Sequence, residues 1–213
     1  DCRGLPGTGI AGSRATFERA FREYGLPEVI RTDNGIPFCS TRSVGGLTQL
    51  AVWWMRLGIR LERTRKSRPA DNGAHERMHR TLKREATRPA RRTPELQQRA
   101  FNQFRKIYND ERPHEALGLE TPGSLYTRAT RRMPRRMPPV VYPEGYQRRR
   151  VTQHGQIRWR RHQFFLSETL RRETVGLNLR EDGRWDVYFG PVPLAILDER
   201  ESVLQRLDRP PPR

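Results

Sequence analysis

The apolar pattern of this chain changes character once, across a stretch that has no period at all. Residues 128–143 are rich in Pro and Arg and show neither helical spacing nor strand alternation. Such a stretch cannot supply a core element and reads as a linker. Before it, apolar residues recur at helical spacing with short strands between. After it, they alternate as in strands. The chain must therefore build two different architectures in sequence.

In the first part, Phe17, Ala20, Phe21 and Tyr24 lie on one helical face, with Ser13 placed to open the helix and Gly25 to close it. Residues 27–31 read as a short strand ending in the turn signal Thr32-Asp33-Asn34-Gly35. Leu47, Leu50, Ala51, Trp54 and Met55 make a second apolar stripe, closed by Gly58, and Ile59, Leu61 and Arg63 alternate as a strand. A polar loop is expected over 66–73 and a helix over about 74–87, with Ala74, Met78 and Leu82 stacked. Thr93-Pro94-Glu95 starts another helix, as cap, first-turn proline and first-turn acid. Its apolar face runs through Leu96, Ala100, Phe101, Phe104, Ile107 and Tyr108 to the stop at Arg112-Pro113-His114. Helices alternating with strands are an α/β signature. In the second part, strands are expected at 149–152, 157–165, 175–179, 185–189 and 194–197, with a hairpin turn at Asp182-Gly183. Five short strands in so few residues point to a small barrel.

Charge narrows the partner. Lys and Arg number 42 against 24 Asp and Glu, a net charge of +18 with a pI near 11.3. Only Lys66, Lys83 and Lys106 are lysines. Arg binds phosphate through a planar fork, and an excess of this size concentrates polyanions, nucleic acid above all. Residues 128–161 hold eleven Arg and one acid, Glu144; the plainer reading of this run is a solvated arm. Hydrophobic residues make up 34% and the mean hydropathy is −0.92. No apolar run approaches membrane-spanning length and no signal-peptide pattern is seen. With Cys2 and Cys39 as the only cysteines, the expected setting is a reducing cytoplasm.

Two carboxylates stand where chemistry is presented. Asp33 ends a strand, where α/β proteins place functional groups, and Glu76 lies in the first turn of a helix. Together they could hold hard divalent cations, and two such ions about 4 Å apart activate an attacking oxygen and stabilise the leaving one. His79, Arg80 and Lys83 follow Glu76 at helical spacing, so a carboxylate flanked by cations would meet a phosphate backbone. The alternative is an ordinary Asp-Asn-Gly turn and a solvated helix face. A rival chemistry overlaps: His75-Glu76-Arg77-Met78-His79 matches H-E-x-x-H, the zinc hydrolase pattern. Against it, Arg77 and Arg80 charge a helix that is normally buried, and no nearby G-x-x-H adds a third ligand. Trp54 reads as core, Trp159 as either a DNA contact or barrel core, and His114 as a structural hydrogen bonder. The candidate DNA contacts are His79, Arg80, Lys83, Arg148, Arg149, Arg150, Arg158, Trp159 and Arg160.

These residues also resemble a family. Tyr24-Gly25-Leu26-Pro27 through Ile30-Arg31-Thr32-Asp33-Asn34-Gly35 resembles the segment bearing the second acid of the retroviral-integrase superfamily. Residues 72–83, from Asn72-Gly73 through His75-Glu76 to Lys83, resemble the helix bearing the third. Tyr108-Asn109, Arg112-Pro113-His114 and Leu117 resemble the segment that follows in bacterial insertion-sequence transposases. The resemblance implies an RNase H-like core with an Asp-Asp-Glu triad, Mg²⁺ or Mn²⁺, double-stranded DNA as substrate at transposon ends and target, and cleavage with strand transfer. Asp33 and Glu76, 43 positions apart, would be the second and third acids. The later strands resemble an appended SH3-like DNA-binding barrel.

In the family the first Asp precedes the first long helix; here only Asp1 does, and it falls where a later strand should end. The expected fold class is thus α/β: an incomplete RNase H-like core, its N-terminal strands missing, then a small all-β SH3-like barrel. The expected division is a partial catalytic core at 1–127, a basic linker at 128–145, a barrel at 146–200 and a flexible tail at 201–213. The expected state is a catalytically incomplete, cytoplasmic, nucleoid-associated protein that forms a homo-oligomer or joins full-length transposase. A non-catalytic DNA-binding or regulatory role is the alternative.

Overall fold

The computed structural model describes residues 2–5, 7, 9–41, 43–64 and 73–207. In chain order the regular elements are α1 (Ile10–Tyr24), β1 (Val29–Thr32), α2 (Gln49–Arg56), β2 (Arg60–Arg63), α3 (Gly73–Ala86), α4 (Pro94–Lys106), α5 (Pro122–Leu125), β3 (Gln147–Arg150), β4 (Gln156–Trp159), β5 (His162–Phe165), β6 (Thr174–Leu179), β7 (Trp185–Phe189), β8 (Val192–Asp198) and β9 (Val203–Arg206). Residues 1, 6, 8, 42, 65–72 and 208–213 lie outside the described residues, and with them most of the stretch over 66–73 for which a polar loop is expected. Mixed α/β content with a five-stranded antiparallel sheet agrees with the expected class.

The chain forms two compact units that interleave in sequence. One comprises residues 1–26 and 64–132, the other 27–63 and 133–213. The linear division at 127 and 145 does not follow these units, because the β1–α2–β2 segment clusters with the C-terminal strands.

Among the described residues of the first unit, the regular elements are all helices. α1 starts earlier than Ser13: Gly9 is its N-cap, and Ser13 sits buried in the first turn with its hydroxyl donating to Gly9 O at 3.1 Å. Gly25 ends the helix at φ +85, and its N–H donates to Phe21 O at 2.9 Å. α4 starts as read from the sequence, with Thr93 accepting from Leu96 N and Pro94 in the first turn. A π turn at Ile107–Glu111 then ends in Arg112. Arg112 donates to Glu85 Oε2 at 2.7 Å, linking the end of that turn to α3.

The second unit holds the larger core. β1 and β2 pair in parallel, Val29 with Arg60 through Thr32 with Arg63, and α2 lies in the crossover a parallel pair requires. Thr48 caps α2, accepting from Ala51 N. Trp54 is core, 1% exposed, and stacks on Phe38. Leu47, Ala51 and Val52 share one buried cluster with Val151, Ile157, Leu170, Val175, Val187, Phe189 and Leu197. Burying this apolar surface is the main stabilising term.

Among the described residues the C-terminal strands are seven, not five. They form a sheet of order β3-β6-β7-β8-β9 and a separate β4-β5 ribbon. The Asp182-Gly183 turn joins β6 to β7 as expected, with Leu179 opposite Trp185. The single strand expected over 157–165 is instead two strands folded back at Arg160-Arg161, with Trp159 opposite His162. Arg160 sits at φ +51, where Gly or Asn is the usual signal, so the turn left no mark in the sequence. β9 falls inside the expected tail and pairs with β8. Within the expected linker, Arg56 donates to the carbonyls of Met137 and Pro138, and Tyr142 is buried. That stretch is thus anchored at Met137, Pro138 and Tyr142 although it has no regular structure.

Candidate functional site

Asp33 follows the C-terminal end of β1 and is exposed. Its Oδ1 accepts from Gly35 N at 2.9 Å, closing the turn predicted by Asp-Asn-Gly. That bond occupies one carboxylate oxygen; Oδ2 accepts no hydrogen bond among the described residues. On the neighbouring strand position, Arg31 pairs with Glu62 at 3.0 Å across the β1–β2 register.

Glu76 lies in the first turn of α3, where a helix N-terminus favours negative charge. It is exposed, as are His79, Arg80 and Lys83 on the same helix. Among the described residues Glu76 makes no ion pair. The His75 and His79 rings lie 4.3 Å apart, brought together by their four-residue spacing. Partial burial, then His75 and Lys83, hold the His79 imidazole below its ordinary pKa, so it stays neutral more readily. His114 is structural: its Nε2 lies 3.2 Å from Tyr108 O and its ring packs edge-on against Tyr108 at 4.6 Å.

Asp33 and Glu76 belong to different units. Each offers the hard oxygen donors that Mg²⁺ or Mn²⁺ prefers, so the donor chemistry fits. No group of three His, Cys, Asp or Glu side chains gathers among the described residues. Among the described residues of each unit no two-metal centre is assembled, and the His75–His79 pair gains no third ligand.

The cationic residues of the second unit divide by strand alternation. Arg148 and Arg150 are exposed on β3, an edge strand, with no ion-pair partner among the described residues. Arg149 is half-buried between them, and its guanidinium lies 4.6 Å from the Trp159 ring centroid. Of the candidate contacts Arg148, Arg149 and Arg150, the middle one thus faces away from the outer two, because successive strand residues face opposite ways.

Trp159 is core, only 4% exposed. Arg149 covers its ring, Trp185 packs 4.8 Å away, and its Nε1 donates to Glu199 Oε1 at 2.7 Å. Of the two readings of Trp159, base stacking loses to burial, since neither face is open to a base. Arg158 is exposed on β4, and Arg160 is exposed but paired to Glu199 Oε2 at 2.9 Å. Glu199 went unnoticed in the sequence, as did Gln163, which stands opposite Arg158 on β5. The alternation of 156–165 places Gln163 once the turn at Arg160-Arg161 is known; Glu199, forty positions beyond Trp159, carries no such local signal.

No helix among the described residues is long and apolar enough to cross a membrane. Comparison with protein families matches residues 57–122 to the model described as integrase core domain. The match covers just under a third of the chain, and it contains Glu76, His79, Arg80 and Lys83 but not Asp33 or the C-terminal strands. Over these residues the chain is similar to an integrase core of the retroviral-integrase-like superfamily.

Proposed function

We propose that this chain works in DNA integration or transposition, in the manner of bacterial insertion-sequence transposases. The observation that carries the reading is Glu76, exposed in the first turn of a cationic helix inside the segment similar to an integrase core. Asp33 and Glu76 serve as the second and third acids of an Asp-Asp-Glu set. Each contributes carboxylate oxygens to Mg²⁺ or Mn²⁺, which when bound activates water or a 3′-hydroxyl for attack on a phosphodiester. His79, Arg80 and Lys83 receive the phosphate backbone beside that acid.

Double-stranded DNA is the partner, and the +18 charge supports this. The antiparallel sheet with its attached ribbon supports an SH3-like DNA-binding module. Among the described residues no third carboxylate gathers with Asp33 or Glu76, and we read this chain as binding DNA without turning it over alone. A regulatory, purely DNA-binding role is the second reading. The exposed Arg148, Arg150 and Arg158, all in the second unit, favour it.

A labelled-duplex assay with Mn²⁺ across a salt series tests the proposal. Salt-sensitive binding without cleavage is the expected result. Robust strand transfer would show that another acid completes the set, and no binding at low salt would remove the DNA reading altogether.

A further inference from the structure

The β4–β5 ribbon is amphipathic across its two faces. Ile157, Trp159 and Phe164 point to the core cluster. The alternate positions, Arg158, Gln163 and Phe165, are exposed, and the register sets Arg158 directly opposite Gln163. Phe165 is 47% exposed, large for an aromatic residue, with Arg206 of β9 5.6 Å from its ring centroid. No acid occurs from 156 to 165. The nearby carboxylate, Glu199, has both oxygens engaged, by Trp159 Nε1 and by Arg160. That clamp fixes the ribbon tip against the segment joining β8 and β9. Arg161, beside it at the turn, is exposed and has no ion pair among the described residues.

We infer that this ribbon enters the major groove of double-stranded DNA and reads base edges, with Arg158 and Gln163 as the reading side chains. The inference rests on the DNA-binding role proposed above. A two-stranded ribbon has the width the major groove admits, Arg pairs with guanine O6 and N7, and Gln with adenine N6 and N7. Phe165 offers an apolar contact to a thymine methyl. Arg160 and Arg161 at the turn meet flanking phosphates, which position the ribbon without reading sequence. The ribbon thereby supplies sequence preference, a property that phosphate contacts from Arg148 and Arg150 do not.

Selection of binding sites from a randomised duplex pool tests this on the intact chain, R158A, Q163A and the double variant. Thermal melts establish that the variants fold, which their exposure predicts. The wild-type chain enriches a consensus. The single variants each lose about 5- to 150-fold of preference at one position, while the salt dependence of binding is retained. Replacing the consensus guanine by 7-deazaguanine weakens wild-type binding and leaves R158A unchanged. An unaltered consensus in the double variant overturns the inference, as does a uniform weakening on every sequence with a shallower salt slope. Wild-type binding with no consensus also overturns it but leaves the DNA-binding role standing. No binding at low salt removes both.

Discussion

Trp159 Nε1 donates to Glu199 Oε1 at 2.7 Å, while the other carboxylate oxygen of Glu199 lies 2.9 Å from Arg160 Nη2. One carboxylate thus satisfies a buried indole and holds the turn beside it. Removing it strands a buried N–H, and a buried donor without a partner costs more than the bond was worth. Glu199→Ala is expected to destabilise the chain by about 1–3 kcal/mol. Glu199→Gln, which keeps an acceptor, loses less. Urea unfolding followed by Trp fluorescence measures both.

Arg112 and Glu85 form a second such pair, in the helical unit. The hydrogen bond from Arg112, followed by that from Arg84, holds the Glu85 carboxyl below its ordinary pKa. A depressed folded-state pKa means the unfolded chain binds the proton more readily. The contribution is therefore present above the ordinary glutamate value, about 4.3, and is lost as pH falls through the lower folded value. Arg112→Ala should flatten the acid limb of a stability–pH curve. An unchanged limb would show that the pair contributes nothing there.

Tyr142 sets the alkaline limb. Burial pushes its phenol up to about 12, and its hydroxyl donates to Thr174 O at 2.8 Å. Because the folded value is raised, stability is full below the ordinary value near 10 and declines as pH rises toward 12. Absorbance titration should show Tyr142 ionising last, with Tyr142→Phe removing that step.

Gly176 lies on β6 with the Tyr142 ring against it, so an added Cβ would collide with the ring. Gly176→Ala should cost about 1–3 kcal/mol by overpacking. A Tm equal to that of the parent chain would mean that the ring shifts freely.

Arg148→Ala and Arg150→Ala test the edge strand. Each removed phosphate contact should lower the slope of log K against log salt by about 0.9 and weaken all sequences alike. Filter binding at several salt concentrations reads the slope. Arg149→Ala should instead show itself as lost stability, since Arg149 packs on Trp159.

Local chemistry alone determined much of this protein. Thr93-Pro94-Glu95 caps α4, Gly25 ends α1, and Asp33 closes its turn through Gly35, because caps and turns are set by residues within a few positions of each other. The exposed cationic face around Glu76 was equally legible, since its spacing is that of one helix. What only the tertiary structure decided involves partners far apart in sequence. Trp159 is core because Trp185 packs beside it and Glu199, forty positions on, takes its N–H. The β1–α2–β2 segment clusters with strands more than eighty positions later, because Leu47, Ala51 and Val52 bury against them. The ribbon turn at Arg160 carries no Gly or Asn signal, so tertiary packing sets it in place of propensity. Periodicity tells which residues seek burial, and the fold decides against what; that choice splits the arginines of β3 and turns Arg158 and Gln163 outward.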